Sequence, residues 1–211
     1  MTATAVPPTR RSQAERSAAT QTRLLDATIE CLVERGWSGT STTEVVRRAG
    51  VSRGAQVHHY PTKNDLVLAA VEHLLERRKD EFQATFEELP PQQRSPAVAM
   101  RLLYENCFRR SFEAWLELAI AARHDAALHT RFVELESRFF ESALATFQSF
   151  FPDAQADASF ARLALRLALG LLDGLAIGRL IDVDDGELDA VLDAFNTITS
   201  PYFPQSRGDA S

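Results

Sequence analysis

STTEVVRRAGVSRGAQVHHYPTK, residues Ser41 to Lys63, reads as two short helices joined by a tight turn, with a third helix starting directly after them. Ser41 is an N-cap residue, and Glu44 three positions on completes a capping box. Val45, Val46 and Ala49 are apolar at helical spacing. Gly50 stands where a left-handed residue closes a helix. Val51 staples the corner, and Ser52 caps the next helix. That second helix, Arg53 to Tyr60, must stop before Pro61. Thr62 and Asp65 form a further capping box for the helix that follows. Helix, glycine turn and short helix is the helix-turn-helix layout, whose second helix enters the DNA major groove. Arg53, Gln56, His58 and His59 supply hydrogen-bonding side chains there, while small Gly54 and Ala55 permit close approach.

The charge distribution fits that layout. The chain of 211 residues carries a net charge of −6, but unevenly. Residues 1–63 hold nine Lys and Arg and five Asp and Glu, hence +4; the remainder holds 23 − 9 = 14 basic and 29 − 5 = 24 acidic residues, hence −10. A basic head on an acidic body meets polyphosphate with one end only. Hydrophobic content of 45% and charged content of 25% suit a globular chain of one domain or two small ones. The polar start, MTATAVPPTRRSQAERSAAT, does not resemble a signal peptide. Cys31 and Cys107 lie far apart in apolar, helix-like contexts and read as buried free thiols, which suits a reducing cytoplasm.

Apolar residues recur at helical spacing almost throughout, so the expected class is all-α, with about nine helices. Residues 1–15 read as a disordered arm, 16–63 as the helix-turn-helix head, 64–204 as a helical body, and 205–211 as a tail. The first helix is expected from about Ser17 to Arg35, ended by Gly36, with Trp37 packing back under the head. The eighth, about Asp157 to Ile181, places Gly170, Gly174 and Gly178 four apart on one face. Arg162, Arg166, Asp173 and Arg179 interrupt it and argue against a membrane span. Asp184 with Glu187 caps the ninth helix. Helices eight and nine are apolar over more of their circumference than one neighbour requires. A partner subunit completing a four-helix bundle would explain this, with Gly170, Gly174, Gly178, Leu188, Leu192 and Phe195 at the interface. Packing of the glycines within the subunit is the alternative.

No metal site is expected. His58 and His59 are adjacent and diverge by about 100° on a helix. His124 and His129 are five apart, not four, and Asp182, Asp184 and Asp185 lack the rest of a calcium loop. No Ser-His-Asp set, glycine-rich phosphate loop or His-Glu-x-x-His motif is present, so neither an enzyme nor a cofactor is expected.

The segment LLDATIECLVERGWSGTSTTEVVRRAGVSRGAQVHHYPTKNDLVLAAV, Leu24 to Val71, closely resembles the DNA-binding domain of TetR-family transcriptional regulators. The Leu-Leu-Asp-Ala start, Glu34-Arg35-Gly36 before an aromatic residue, Arg48-Ala49-Gly50-Val51-Ser52, and His58-His59-Tyr60 before Lys63 carry the likeness. The resemblance implies a cytoplasmic homodimeric repressor, released from a pseudopalindromic double-stranded operator by a small-molecule effector. Thr42, Thr43 and Lys63 would then meet phosphate. Arg53, Gly54 and Ala55 would lie at or beside base edges, with His58 and His59 further along; phosphate is the alternative partner for Arg53. The family commonly has Leu-Tyr where this chain has Gln56-Val57. Gln56 either reads adenine or sits at the helix edge without specific contact, and Val57 cannot reach phosphate as the tyrosine does. The resemblance also places a ligand pocket near Met100, Tyr104, Phe108, Phe112 and Trp115, with Arg123 and His124 as polar anchors. The many phenylalanines point to an apolar or aromatic effector. The competing readings are an activator or ligand-independent regulator, and a helical small-molecule-binding protein or enzyme.

Overall fold

The computed structural model describes residues 12–107, 111–152, 158–181 and 185–199. Among them are nine α-helices and no strand: α1 (Gln13–Gly39), α2 (Thr42–Ala49), α3 (Arg53–His59), α4 (Lys63–Glu88), α5 (Pro96–Leu102), α6 (Ser111–Ala122), α7 (Ala126–Phe150), α8 (Ala158–Leu180) and α9 (Asp185–Thr199). The all-α expectation holds. The chain divides into two compact units between Ala70 and Val71, seven residues beyond the expected 63/64 boundary. The division falls inside α4, whose first turns bury Leu66, Val67 and Ala70 in the head unit.

The first helix starts four residues before the expected Ser17. Ser12 and Glu15 form the capping box responsible: Ser12 N–H donates to Glu15 Oε2 at 2.6 Å, and Glu15 N–H donates to Ser12 Oγ at 3.1 Å. The stretch read as an arm therefore ends in helix, and residues 1–11 lie outside the described residues. Leu24, Thr28, Cys31 and Leu32 are buried on one face. Thr28 satisfies its hydroxyl on the Leu24 carbonyl at 2.7 Å, the usual solution for a buried threonine in a helix. Gly36 interrupts the helix with φ 66° and ψ −178°, a region that only glycine occupies freely. Buried Thr40 then ties the break together: its hydroxyl donates to Gly36 O at 2.8 Å, and its N–H to Gly36 O at 3.1 Å.

Arg48 fastens α2 to α1 through Glu34 at 2.6 Å and Glu30 at 3.4 Å. The expected Ser41–Glu44 capping box is only half made. Ser41 Oγ accepts from Glu44 N–H at 3.2 Å, but the Glu44 carboxylate turns to Arg47, at 2.7 and 2.9 Å, and to Arg35 at 3.1 Å. Those guanidinium groups hold its carboxyl near pKa about 2, the Arg47 hydrogen bond being the largest cause. Cys31 is a buried free thiol as expected, and burial pushes its pKa up; the Cys107 side chain lies outside the described residues.

In the second unit α6 packs on α7, α7 on α8, and α5 on α9. Met100, Tyr104, Leu172, Leu175 and Leu192 form one buried cluster. Phe140, Leu144, Ala161 and Leu165 form another, between α7 and α8. A π-type turn, Leu103–Cys107, follows α5 directly. The expected Asp184–Glu187 cap of α9 lies outside the described residues, as do Asp182 and the tail.

Replacing Gly36 with alanine puts a Cβ at a backbone conformation that costs roughly 1–3 kcal/mol for other residues. Gly36→Ala is expected to lower the stability of the head by that amount in urea unfolding of the full-length chain, whereas a neutral result would mean that the break relaxes.

Candidate nucleic-acid interface and ligand cavity

The second helix of the turn is built from local signals alone. Gly50 closes α2 at φ 63° and ψ 39°, and Ser52 Oγ accepts from Ala55 N–H at 3.2 Å to start α3. At the far end Thr62 and Asp65 make both halves of their capping box, at 2.9 and 3.1 Å. Thr42, half-buried, and Thr43, exposed, occupy the first turn of α2, where free N–H groups favour an anion. Arg53, Gly54 and His58 are exposed, while Ala55 and His59 are half-buried. The rings of His58 and His59 meet edge-on at 5.2 Å.

Two expected contact residues are used elsewhere. Gln56 is only 2% exposed, and its Nε2 donates to the Tyr60 carbonyl that ends the helix. A buried amide satisfied by its own backbone has no edge to offer adenine, so Gln56 leaves the set of base readers. Lys63 Nζ donates to the Trp37 carbonyl and lies 4.2 Å from the centroid of the Trp37 ring. Desolvation pushes its pKa down. Lys63, expected to meet phosphate, thus also has a structural contact within the head, which explains how half-buried Trp37 packs back into it. Val57, for which the sequence offered no partner, is 47% exposed on the outer side of α3.

The second unit holds a cavity of about 250 Å³. Eight of its lining residues are aromatic: Phe82, Phe112, Trp115, Phe139, Phe140, Phe147, Phe150 and Phe151. Of the expected pocket residues, Phe112 and Trp115 are among these. Met100 and Tyr104 do not line the cavity, because both are packed into the buried cluster with Leu172 and Leu192. Arg123 and His124 are exposed at the α6–α7 turn and also lie off the cavity. Phe108 lies outside the described residues. The polar part of the wall comes from residues that sequence spacing did not single out. Trp115 Nε1 donates to Glu136 Oε1 at 2.6 Å. Arg166 lies 4.0 Å from the Phe140 ring centroid. Lys79 Nζ is held by Glu76 at 2.6 Å and Ser142 at 2.9 Å. Burial raises the pKa of Glu136. Asp173 is pushed up to about 6 by burial first and by the neighbouring Glu136 charge second.

Residues 24–70 match the family model described as bacterial regulatory proteins, tetR family. Over those residues the chain is similar to the TetR family. It is 39% identical over 121 residues to the HTH-type transcriptional regulator CymR of Pseudomonas putida, a match covering 57% of this chain and 60% of that relative. The chain thus spans three-fifths of the curated relative's length. A transcriptional regulator from Rhodococcus sp. Rha1 superposes with a TM-score of 0.65 at 23% identity, covering 86% of this chain and 96% of that one. A regulator from Saccharomonospora viridis in complex with choline gives 0.62 at 18%, covering 87% and 96%. At these identities the two solved structures show a shared fold.

One face of α8 stands out. Leu163, Leu167, Gly170, Gly174, Ile177 and Ile181 follow one another at alternating steps of four and three, and all are exposed. Ile181 is 74% exposed and Leu163 and Leu167 are 57%. A Cβ built on Gly174 would meet nothing within 4 Å. Gly178 is half-buried and lies beside the stripe, while Gly170 also borders the cavity. Of the other expected interface residues, Leu192 is 6% exposed within the subunit, and Phe195 packs against the same internal cluster. The reason is that α9 lies on α5, braced by Arg101 and Asp189 at 2.6 Å. The Leu188 side chain lies outside the described residues.

Because the pKa of Asp173 is raised above its ordinary 3.8, the folded state binds this proton more tightly than the unfolded chain. Its ionisation therefore removes stability as pH rises from about 4 through about 6. Asp173→Asn is expected to stabilise the protein by ~1 kcal/mol at pH 7.5, the value being reduced for partial solvent exposure, and by little at pH 4. Thermal unfolding at the two pH values measures this; equal effects at both would exclude burial of the charge as the cause.

Proposed function

We propose that the chain is a DNA-binding transcriptional regulator that acts in the cytoplasm as a homodimer, repressing from a pseudopalindromic operator and released by a small apolar or aromatic effector. The observation that carries this reading is the capped α3 of the family-matched head, which turns Arg53, Gly54 and His58 outward. Arginine is the commonest reader of guanine in the major groove, and the first turn of α2 offers its N–H groups to phosphate. Aromatic walls around about 250 Å³ suit a compact apolar ligand. Among the described residues no helix is long and apolar enough to cross a membrane.

Selection of the full-length protein against a randomised duplex library, followed by filter-binding titration of the enriched duplexes, tests the reading. An enriched consensus with two-fold pseudosymmetry is expected. Its affinity should fall about 10³-fold or more between low and physiological salt. Arg53→Ala should weaken binding by about 1–3 kcal/mol and relax the preference at one position. Failure to enrich any sequence, with weak salt-insensitive binding, would refute DNA recognition.

The exposed 3–4 stripe of α8 is the proposed dimer face, since that spacing is what a partner helix requires. A Cβ at position 174 meets nothing within 4 Å on an exposed face, and Gly174→Leu adds a better helix former. It is expected to convert dimers to monomers in sedimentation equilibrium without lowering the melting temperature of the subunit; an unchanged dimer would remove α8 from the interface.

A further inference from the structure

Helix α3 spans two turns, and buried Gln56 fixes which side of it faces inward. Arg53 and Val57, one turn apart, then share the outward face, with Gly54 and His58 beside them. Val57 is the anomaly on that face: an apolar, β-branched side chain left 47% exposed between polar neighbours. It can neither donate to phosphate nor hydrogen-bond a base edge. Its χ1 is stiff, so little freedom is lost when it is pressed against a partner. Gly54 has no side chain, and a Cβ there would meet only Ser52 Oγ at 3.9 Å, so α3 can approach a surface closely enough for a side chain as short as valine to touch it.

We propose that Val57 reads the C5-methyl group of a thymine in the major groove, one helical turn along α3 from the base or phosphate held by Arg53. The inference rests on the DNA-binding reading above and adds a residue to its specificity. The thymine methyl is the one apolar feature on a major-groove base edge, and a small aliphatic side chain is its complement. Gln56 and Val57 thereby divide the work at two adjacent positions. The first faces inward and holds the helix end; the second faces outward and recognises a methyl group by exclusion of water.

The test uses the full-length protein and duplexes enriched from the randomised library. These are resynthesised with 2′-deoxyuridine in place of single thymidines, a change that removes only the methyl group. At one thymidine in each half-site the wild type is expected to lose about fourfold in affinity, the effect of uncovering a single buried methyl. Val57→Ala is exposed and should fold normally, and it is expected to bind the thymidine and deoxyuridine duplexes equally. Tight, salt-dependent binding that no deoxyuridine weakens would overturn the Val57 assignment while leaving DNA recognition intact. The same methyl dependence in wild type and Val57→Ala would also overturn it, assigning the contact to another residue. Absence of any enriched duplex would overturn both readings together.

Discussion

Helix α3 has seven residues, too few to hold its own conformation in water. Its geometry depends on one buried hydrogen bond, from the Gln56 amide to the carbonyl of Tyr60 at its end. A buried polar side chain without a partner would be costly, so that bond lets Gln56 sit inside, and the burial of Gln56 sets which side of the helix faces inward. Everything offered outward by the head follows from this orientation. The supports on either side are equally local: the left-handed Gly50 and the Ser52 cap before the helix, the Thr62–Asp65 box after it. Behind it, the break at Gly36 brings the Trp37 carbonyl and ring to where the Lys63 ammonium sits. A cation that the charge count assigns to the basic surface is thereby turned to internal use.

The second unit is organised around a different tension. Its cavity wall is mostly aromatic, yet it carries two carboxyl groups, Glu136 and Asp173, and the charge of the first adds to burial in raising the proton affinity of the second. Trp115 donates to the first, and Arg166 lies near enough to lower its pKa in part. The polarity of the cavity is therefore set by α4, α7 and α8, while α6 supplies ring surface. Cation–π contact with Phe140 holds Arg166 at the wall.

Much of the head was legible in the sequence because its signals are contiguous. Caps, a left-handed glycine and a proline stop act within three or four residues of one another, and apart from the Glu44 half of the Ser41 box each fell where its chemistry requires. The misreadings arose where distance in sequence hides contact in space. Nothing near Lys63 announces that Trp37, twenty-six positions back, will claim its ammonium. Gln56 looks like a reader because it is polar; only the fold reveals that its register on the helix is the inward one. The cavity was half legible: Phe112 and Trp115 were found, but Glu136, Arg166 and Asp173 lie on two other helices whose mutual register no periodicity specifies. On α8 the glycines drew notice, whereas the informative pattern was the alternation of four and three that runs from Leu163 to Ile181.

The placement of the tryptophans has a consequence of its own. The chain has two, and each belongs to a different unit: Trp37 lies under the Lys63 ammonium in the head, and Trp115 on the cavity wall donates its indole N–H to Glu136. A cation over one ring and a carboxylate on the edge of the other place opposite charges beside the two chromophores. Each emission should accordingly report on its own local charge. The chain thus carries one intrinsic optical probe for each unit, so that events in the head and in the cavity can be followed separately by light without attaching a label.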